Sequence, residues 1–276
     1  MRPSEVLRRA SAYLERHDVQ SPEATAERLL MHVLRTDRTG LYTRSEALDT
    51  QEARLFGRAL CQRCVGTPLQ HLTGEQAFRR LVLEVRPGVF VPRPETELVV
   101  ERGLERIRDV ASPVVVDVGT GTGAIALAIA DERPNATVTA IDVDPDAVEL
   151  ARVNARRSGL DVTVLEGDLL EPLADASRGR VDLVVSNPPY VAPEEVAGLP
   201  LEVRADPELA LVGGLGLYRR LATQARDVLR PGGSLVLEIG ETMAEDVVAM
   251  LAGGYAGVEV ERDLAGRERI VLATRA

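Results

Sequence analysis

The run Val114-Val115-Val116-Asp117-Val118-Gly119-Thr120-Gly121-Thr122-Gly123 constrains the fold of this 276-residue chain most strongly. An apolar strand enters a glycine-rich turn, and a helix follows from about Ala124. That order is the repeating unit of an α/β layer, because a strand buried on both faces needs helices packed against it. Glycine permits the tight turn and a close approach of backbone to ligand. The helix N-terminus then offers unpaired N–H groups to a polar or anionic group.

The same alternation continues along the chain. Apolar runs near 114, 137, 162, 181 and 234 are separated by helical patterns from about residue 95 onward. They predict a right-handed, largely parallel sheet. Two late runs, Val258-Glu259-Val260 and Arg269-Ile270-Val271-Leu272, predict an antiparallel edge hairpin. Residues 1–75 read instead as a small helical domain, with Val6, Leu7, Ala10 and Leu14, then Ala26, Leu29, Leu30, Val33 and Leu34 at helical spacing. Ser21-Pro22-Glu23-Ala24 is a helix start, and a third helix spans about 50–64. Gly40-Leu41-Tyr42 and Leu48-Asp49 read as breaks. Residues 76–94 read as a β-hairpin linker, with strands 81–85 and 89–91 turning at Arg86-Pro87-Gly88. The remaining residues, 95–276, form the main domain.

Gly119, Gly121 and Ala124 satisfy the dinucleotide pattern G-x-G-x-x-G/A. Asp142 closes the next strand, Thr137-Val138-Thr139-Ala140-Ile141-Asp142, where an acid can hold ribose hydroxyls. This spacing is common to nicotinamide and S-adenosylmethionine sites. Asp117, at the mouth of the loop, can receive an ammonium group or simply bond loop N–H groups. After the third strand, Asp168 can accept from an adenine amino group and Leu169 can cover a ring face, although a plain turn fits there as well.

Asn187-Pro188-Pro189-Tyr190 separates the two cofactor readings. It follows the apolar run Val181 to Ser186, just past a strand's carboxyl end, where open α/β sheets put their ligands. Each proline fixes its own φ, lacks an N–H and keeps the residue before it extended. The carbonyls of Asn187 and Pro188 are therefore held as free acceptors. The Asn187 side-chain oxygen adds another, and Tyr190 adds a flat wall. Two acceptors beside an aromatic face suit a planar NH₂ group. Hydride transfer has no use for such a pocket, whereas methylation of an amide or amino nitrogen does. A plain binding module has no use for it either.

Charge narrows the substrate. The net charge is −10, and every basic residue is Arg. Residues 1–75 carry 11 Arg against 10 acids, and residues 76–276 carry 22 Arg against 33 acids. An acidic catalytic half repels a phosphate backbone, so no stable nucleic-acid binding is expected. Cys61-x-x-Cys64 lies in a helical stretch without a second ligand pair, so reduced thiols and no metal are expected. There is no apolar run of membrane length and no apolar signal core in MRPSEVLRRA, so a cytoplasmic protein without a membrane span is expected, and it is read as a monomer. All three His precede residue 76. The catalytic half thus has no His, and Asn187-Pro188-Pro189-Tyr190 offers acceptors without a group titrating near neutrality, so the chemical step should use no protein general base and be nearly flat from about pH 6.5 to 9.

The glycine loop, Asp142 and Asn187-Pro188-Pro189-Tyr190 together resemble a class I S-adenosylmethionine-dependent methyltransferase acting on a planar nitrogen. Pro68-Leu69-Gln70-His71-Leu72-Thr73-Gly74 and Phe90-Val91-Pro92-Arg93-Pro94-Glu95-Thr96-Glu97 narrow the resemblance to the peptide-chain release factor glutamine N(5)-methyltransferases. The resemblance covers nearly the whole chain. It implies a seven-stranded, mostly parallel Rossmann-like sheet and methylation of the glutamine in the Gly-Gly-Gln motif of release factors, in support of translation termination. It also implies that Gly119, Thr120, Gly121, Thr122, Gly123, Asp142 and Asn187 contact S-adenosylmethionine, and that residues 187–190 hold the glutamine amide. Arg93 and Glu95 are candidate contacts for the release-factor loop, or an ion-paired structural element. Three positions depart from the family pattern: Arg79 and Leu169 stand where aromatics are common, and Asp206 replaces a Glu. The rival reading is an amino-methyltransferase acting on adenine or cytosine in nucleic acid, which would have to flip its base into the same pocket.

Overall fold

The computed structural model describes residues 1–173 and 177–276. Two compact units emerge, residues 76–198 with 206–276 and residues 1–75 with 199–205.

The larger unit is built on a seven-stranded sheet of order β5-β4-β3-β6-β7-β9-β8. Its strands are β3 (Val114–Val118), β4 (Thr137–Asp142), β5 (Val162–Glu166), β6 (Val181–Ser186), β7 (Leu229–Glu238), β8 (Tyr255–Arg262) and β9 (Glu268–Arg275). The first five pair in parallel, and β9 runs antiparallel to both β7 and β8. The late hairpin is thus present but longer than its apolar runs, and its second strand is inserted inside the sheet. Successive side chains go to opposite faces, so each strand feeds two cores. Val115, Val138, Leu183, Val185 and Val236 pack with helices α6 (Glu97–Arg106), α7 (Ala124–Glu132) and α8 (Pro145–Ser158). Val116, Ile141, Val184, Leu235 and Val271 pack with α10 (Leu215–Val228) and α11 (Ala244–Leu251), which follow the short α9 (Glu208–Leu211). Each fully buried Leu or Ile in these layers contributes roughly 1.5–3 kcal/mol.

Edge strand β8 has its acids engaged. Glu261 meets Arg102 of α6 at 2.6 Å, and Glu259 meets Arg106 at 3.3 Å.

The linker hairpin lies earlier than its sequence suggests. Its strands are β1 (Glu75–Phe78) and β2 (Leu81–Glu84), so the turn falls at Arg79-Arg80. Arg79 takes a left-handed φ of 52°. Glu97 accepts its N–H at 2.9 Å, and Glu132 accepts two guanidinium N–H groups at 2.7 Å. These carboxylates compensate a backbone conformation that a non-glycine residue adopts at a cost. Residues 89–91 form no strand. Pro87 and Pro92 withhold ladder donors there, and the Val91 N–H goes to the Asp206 carboxylate at 3.2 Å.

The smaller unit holds α1 (Pro3–Glu15), α2 (Pro22–Leu34), α3 (Arg38–Thr43), α4 (Thr50–Cys64) and α5 (Leu69–Thr73) around Leu14, Leu29, Leu30, Leu41 and Phe56. Gly40-Leu41-Tyr42 is helical here, against expectation. Asp37 caps α3 by accepting the Gly40 N–H at 2.7 Å, and burial of Leu41 outweighs the weak propensity of glycine. Asp49 is a cap rather than a simple break, in a capping box with Glu52. Cys61 and Cys64 are free thiols on α4. Arg63 pairs with Glu202, which ties residues 199–205 into this unit. No helix among the described residues is long and apolar enough to cross a membrane.

Candidate active site

Strand order reverses at β3. The chain passes from β3 outward through β4 to β5, then returns to lay β6 on the other side of β3. Ligand crevices open at such switch points. The pairing register aligns Val118 with Ser186, so Gly119 and Asn187 are the next residues on neighbouring strands. The Ser186 hydroxyl donates to the Val118 carbonyl at 2.6 Å and pins the two strand ends together. The glycine loop and the Asn-Pro-Pro-Tyr element thus lie side by side.

The loop is held from three directions. Ile141 accepts the N–H groups of Gly119 and Thr120 at 2.8 and 3.0 Å. One oxygen of Asp117 accepts the Thr120 hydroxyl at 2.6 Å and the Ala126 N–H at 3.1 Å. Asn154 of α8 donates to the Thr122 carbonyl at 2.9 Å and brackets Glu84 of β2 through both ends of its amide. Asn154 carries no sequence signal, since its partners lie in distant elements.

Gly119 and Gly121 have φ of 70° and 55°, and a Cβ at either would meet nothing within 4 Å. That open space is the cradle. The second oxygen of Asp117 is buried without a hydrogen-bond partner among the described residues. Burial lifts this carboxyl to about 7, with the Thr120 and Ala126 donors opposing. Asp142, at the end of β4, accepts the Gly121 N–H at 2.8 Å and the Asp144 N–H at 3.0 Å. Burial raises its pKa despite these donors. The Asp142 carbonyl in turn accepts the Gly167 N–H at 2.8 Å, which brings the turn bearing Asp168 and Leu169 beside it. Asp168 is paired with Arg220 at 2.6 Å, and Leu169 is left-handed with φ 53°.

Asn187 is only partly buried, with Pro188 buried behind it. Its NH₂ donates to the Thr96 hydroxyl at 3.1 Å, and Thr96 donates to Glu238 at 2.8 Å. Tyr190 lies against Gly240, and the Arg269 guanidinium stands 6.0 Å from its ring centre. Burial lifts the Tyr190 hydroxyl to about 12. Glu238 is lifted to about 7, again by burial, with the Thr96 hydrogen bond and Arg269 opposing. The tetrapeptide itself thus holds no group near neutrality, as expected. Burial brings two neighbouring carboxyls, Asp117 and Glu238, toward that range instead, a feature the sequence does not announce.

Arg93 and Glu95 do not join this cluster by any direct bond. Arg93 pairs with the buried Asp206 and stacks on Phe90 at 5.2 Å, while Glu95 faces Arg267 at 3.6 Å. Asp206, the departure from the family pattern, thus anchors both Val91 and Arg93.

Residues 5–74 match the family described as PrmC N-terminal domain, and residues 86–201 match Methyltransferase small domain. A release factor glutamine methyltransferase of Deinococcus radiodurans is 44% identical, covering 100% of this chain and 99% of its own. Its counterpart in Moorella thermoacetica is 43% identical, over 93% of both chains. The chain belongs to the release factor glutamine methyltransferase family. Like other methyltransferases, this family member shares its fold with more distant proteins. A T. thermophilus 16S rRNA methyltransferase, solved in complex with AdoMet and guanosine, superposes with a TM-score of 0.56 at 22% identity. That match spans 73% of this chain and 50% of the other, and it concerns the fold alone.

Proposed function

We propose that this chain transfers a methyl group from S-adenosylmethionine to the side-chain amide nitrogen of the glutamine in the Gly-Gly-Gln motif of peptide-chain release factors, in the cytoplasm and in support of translation termination. The observation that supports this reading is the alignment of Val118 with Ser186, which brings Asn187 beside a glycine loop with open space at Gly119 and Gly121. The residues present fit the cofactor. The space at Gly119 and Gly121 admits its chain, the unpartnered Asp117 oxygen suits its ammonium group, and Asp142 retains lone pairs for ribose hydroxyls. Thr120, Thr122 and Gly123 complete the loop, and Asp168 with Leu169 flank the adenine position in this reading.

When bound, S-adenosylmethionine supplies an electrophilic sulfonium methyl. The protein's task is to make a poor nucleophile attack it. An amide lone pair is delocalised into its carbonyl. The Asn187 side-chain oxygen and the Pro188 carbonyl, accepting the two NH₂ hydrogens, draw the nitrogen toward a pyramidal shape and aim its lone pair. Pro189 and Tyr190 fix the backbone and the apolar wall. Positioning is the main contribution, with acceptors set where positive charge develops. One N–H proton leaves to water once the nitrogen has become cationic. Mass spectrometry of a release factor incubated with enzyme and labelled cofactor tests this directly. One labelled methyl on the Gly-Gly-Gln glutamine is expected, and its absence would overturn the reading.

Asp142→Ala should weaken S-adenosylmethionine binding by roughly ten- to a hundredfold, through loss of charge-assisted hydrogen bonds worth about 1.5–3 kcal/mol. Calorimetry checks it, and an unchanged affinity would remove Asp142 from the cofactor site.

The helical unit is proposed as the release-factor docking module, with Arg93 and Glu95 as further contacts on their partly exposed sides. A chain beginning at Gly74 should still bind the cofactor, yet lose most methylation of intact release factor, because a docked partner spends less ordering entropy at the site. Its residues 199–205 lose the Arg63 partner and cost some stability. Equal kcat/KM for both chains on intact release factor would show that docking resides elsewhere.

A further inference from the structure

We infer that Thr96 and Glu238 form a polarity relay that dictates which end of the Asn187 amide faces the substrate. This rests on the reading that Asn187 holds the reacting glutamine amide.

Three side chains stand in a row. Glu238, at the carboxyl end of β7, accepts the Thr96 hydroxyl at 2.8 Å, and Thr96 accepts the Asn187 NH₂ at 3.1 Å. Glu238 and Thr96 are 2% and 4% exposed, so water does not substitute for either partner. A hydroxyl has one hydrogen and two lone pairs, and an ionised carboxylate only accepts. Thr96 must then spend its single hydrogen on Glu238 and can offer Asn187 nothing but a lone pair. Asn187 has to answer with its NH₂ end. Its oxygen is left as the end that can meet a substrate NH₂. With the amide reversed, an NH₂ group would confront an NH₂ group, and the pocket would reject the substrate it is shaped for. Thr96 and Glu238 touch neither substrate nor reacting atoms in this reading. They are positioning residues.

The relay depends on the charge of Glu238. The groups facing that carboxyl are Thr96, Arg269 of β9, Tyr190 after β6 and Glu95, while the Tyr218 hydroxyl of α10 donates to the Glu238 backbone carbonyl at 2.7 Å. Arg269 and the hydroxyls favour the carboxylate, and burial and Glu95 disfavour it. A protonated Glu238 can donate to Thr96, and Thr96 can then donate to Asn187 and reverse it.

The test compares wild type, Thr96→Val, Thr96→Ser and Glu238→Gln by single-turnover methylation of a release factor, with cofactor affinity and melting temperature measured alongside. Thr96→Val should lower kcat by about 100-fold, while Thr96→Ser, which keeps the hydroxyl, stays within about threefold of wild type. Glu238→Gln, of the same shape but able to donate, should lose about tenfold and, at saturating cofactor so that Asp117 does not enter, should show a much shallower decline than wild type from about pH 8 to about pH 6. Cofactor affinity should change far less than kcat throughout, because the relay acts chiefly on the amide of the other substrate. The relay is overturned if Thr96→Val keeps more than about a third of wild-type kcat, if Thr96→Ser is as poor as Thr96→Val, or if the pH profile of Glu238→Gln superimposes on wild type. Should Thr96→Val fail to fold, the Glu238→Gln profile decides alone. A wild-type enzyme that methylates no glutamine removes the function reading and the relay with it. A working wild type with unimpaired variants removes only the relay.

Discussion

Asn187→Ala is expected to lower kcat by about 100-fold or more while S-adenosylmethionine affinity falls far less. The side chain stands one residue beyond β6, partly exposed, with its NH₂ end engaged by Thr96 and its oxygen end available. Alanine removes that acceptor and nothing from the sheet, whose last paired residue on β6 is Ser186. The Pro188 carbonyl remains, so the substrate amide can still enter. It is then held by one hydrogen rather than two and can rotate out of line with the methyl donor. The loss should fall on kcat, as for an interaction realised mainly in the transition state. Single-turnover rates at saturating cofactor check this, and a variant keeping more than about a tenth of wild-type kcat would contradict the positioning role.

Gly213→Ala is expected to be nearly as damaging from a residue with no chemistry of its own. A Cβ at this position would stand 1.9 Å from the Pro189 carbonyl oxygen and 2.6 Å from its carbon. Both are backbone atoms, so no side chain can swing away. Val191 and Val212 form a parallel bridge at this point, with the Gly213 N–H donating to the Val191 carbonyl at 3.1 Å. That bridge clamps the second proline against the glycine. An added methyl must push the Pro-Pro segment outward, and a misplacement of about 1 Å in such a site costs about 100-fold. Gly214→Ala and Gly216→Ala, where a Cβ meets nothing within 4 Å, are the matched controls. Near-normal turnover by Gly213→Ala would mean that the tetrapeptide tolerates displacement.

The elements that reveal themselves in the sequence are those whose demands are local. A glycine loop between a strand and a helix, or two prolines after an asparagine, declares its backbone within a few residues. Thr96 and Glu238 do not. Thr96 meets Asn187 across 91 residues and Glu238 across 142, so only the strand order reveals why either is there. Gly213 reads in isolation as one of a loose Gly-Gly pair. The hairpin was shifted for a similar reason. The left-handed turn at Arg79 is supported by Glu97 and Glu132, and neither acid announces in sequence that it will serve a turn so far away. Charge was legible as a total, but the lifting of Asp117 and Glu238 to about 7 follows from burial alone.

The outer edge of the sheet bears on how the protein behaves at high concentration. A free strand edge is a template for a strand from another copy, and such pairing leads to aggregates. On β8, Glu259 and Glu261 are already bound by two arginines that reach across from α6. A second copy pairing along this strand would bring further charged side chains into the same row. The enzyme's last-but-one strand thus carries along its open edge the kind of charged row by which natural sheets discourage edge-to-edge pairing.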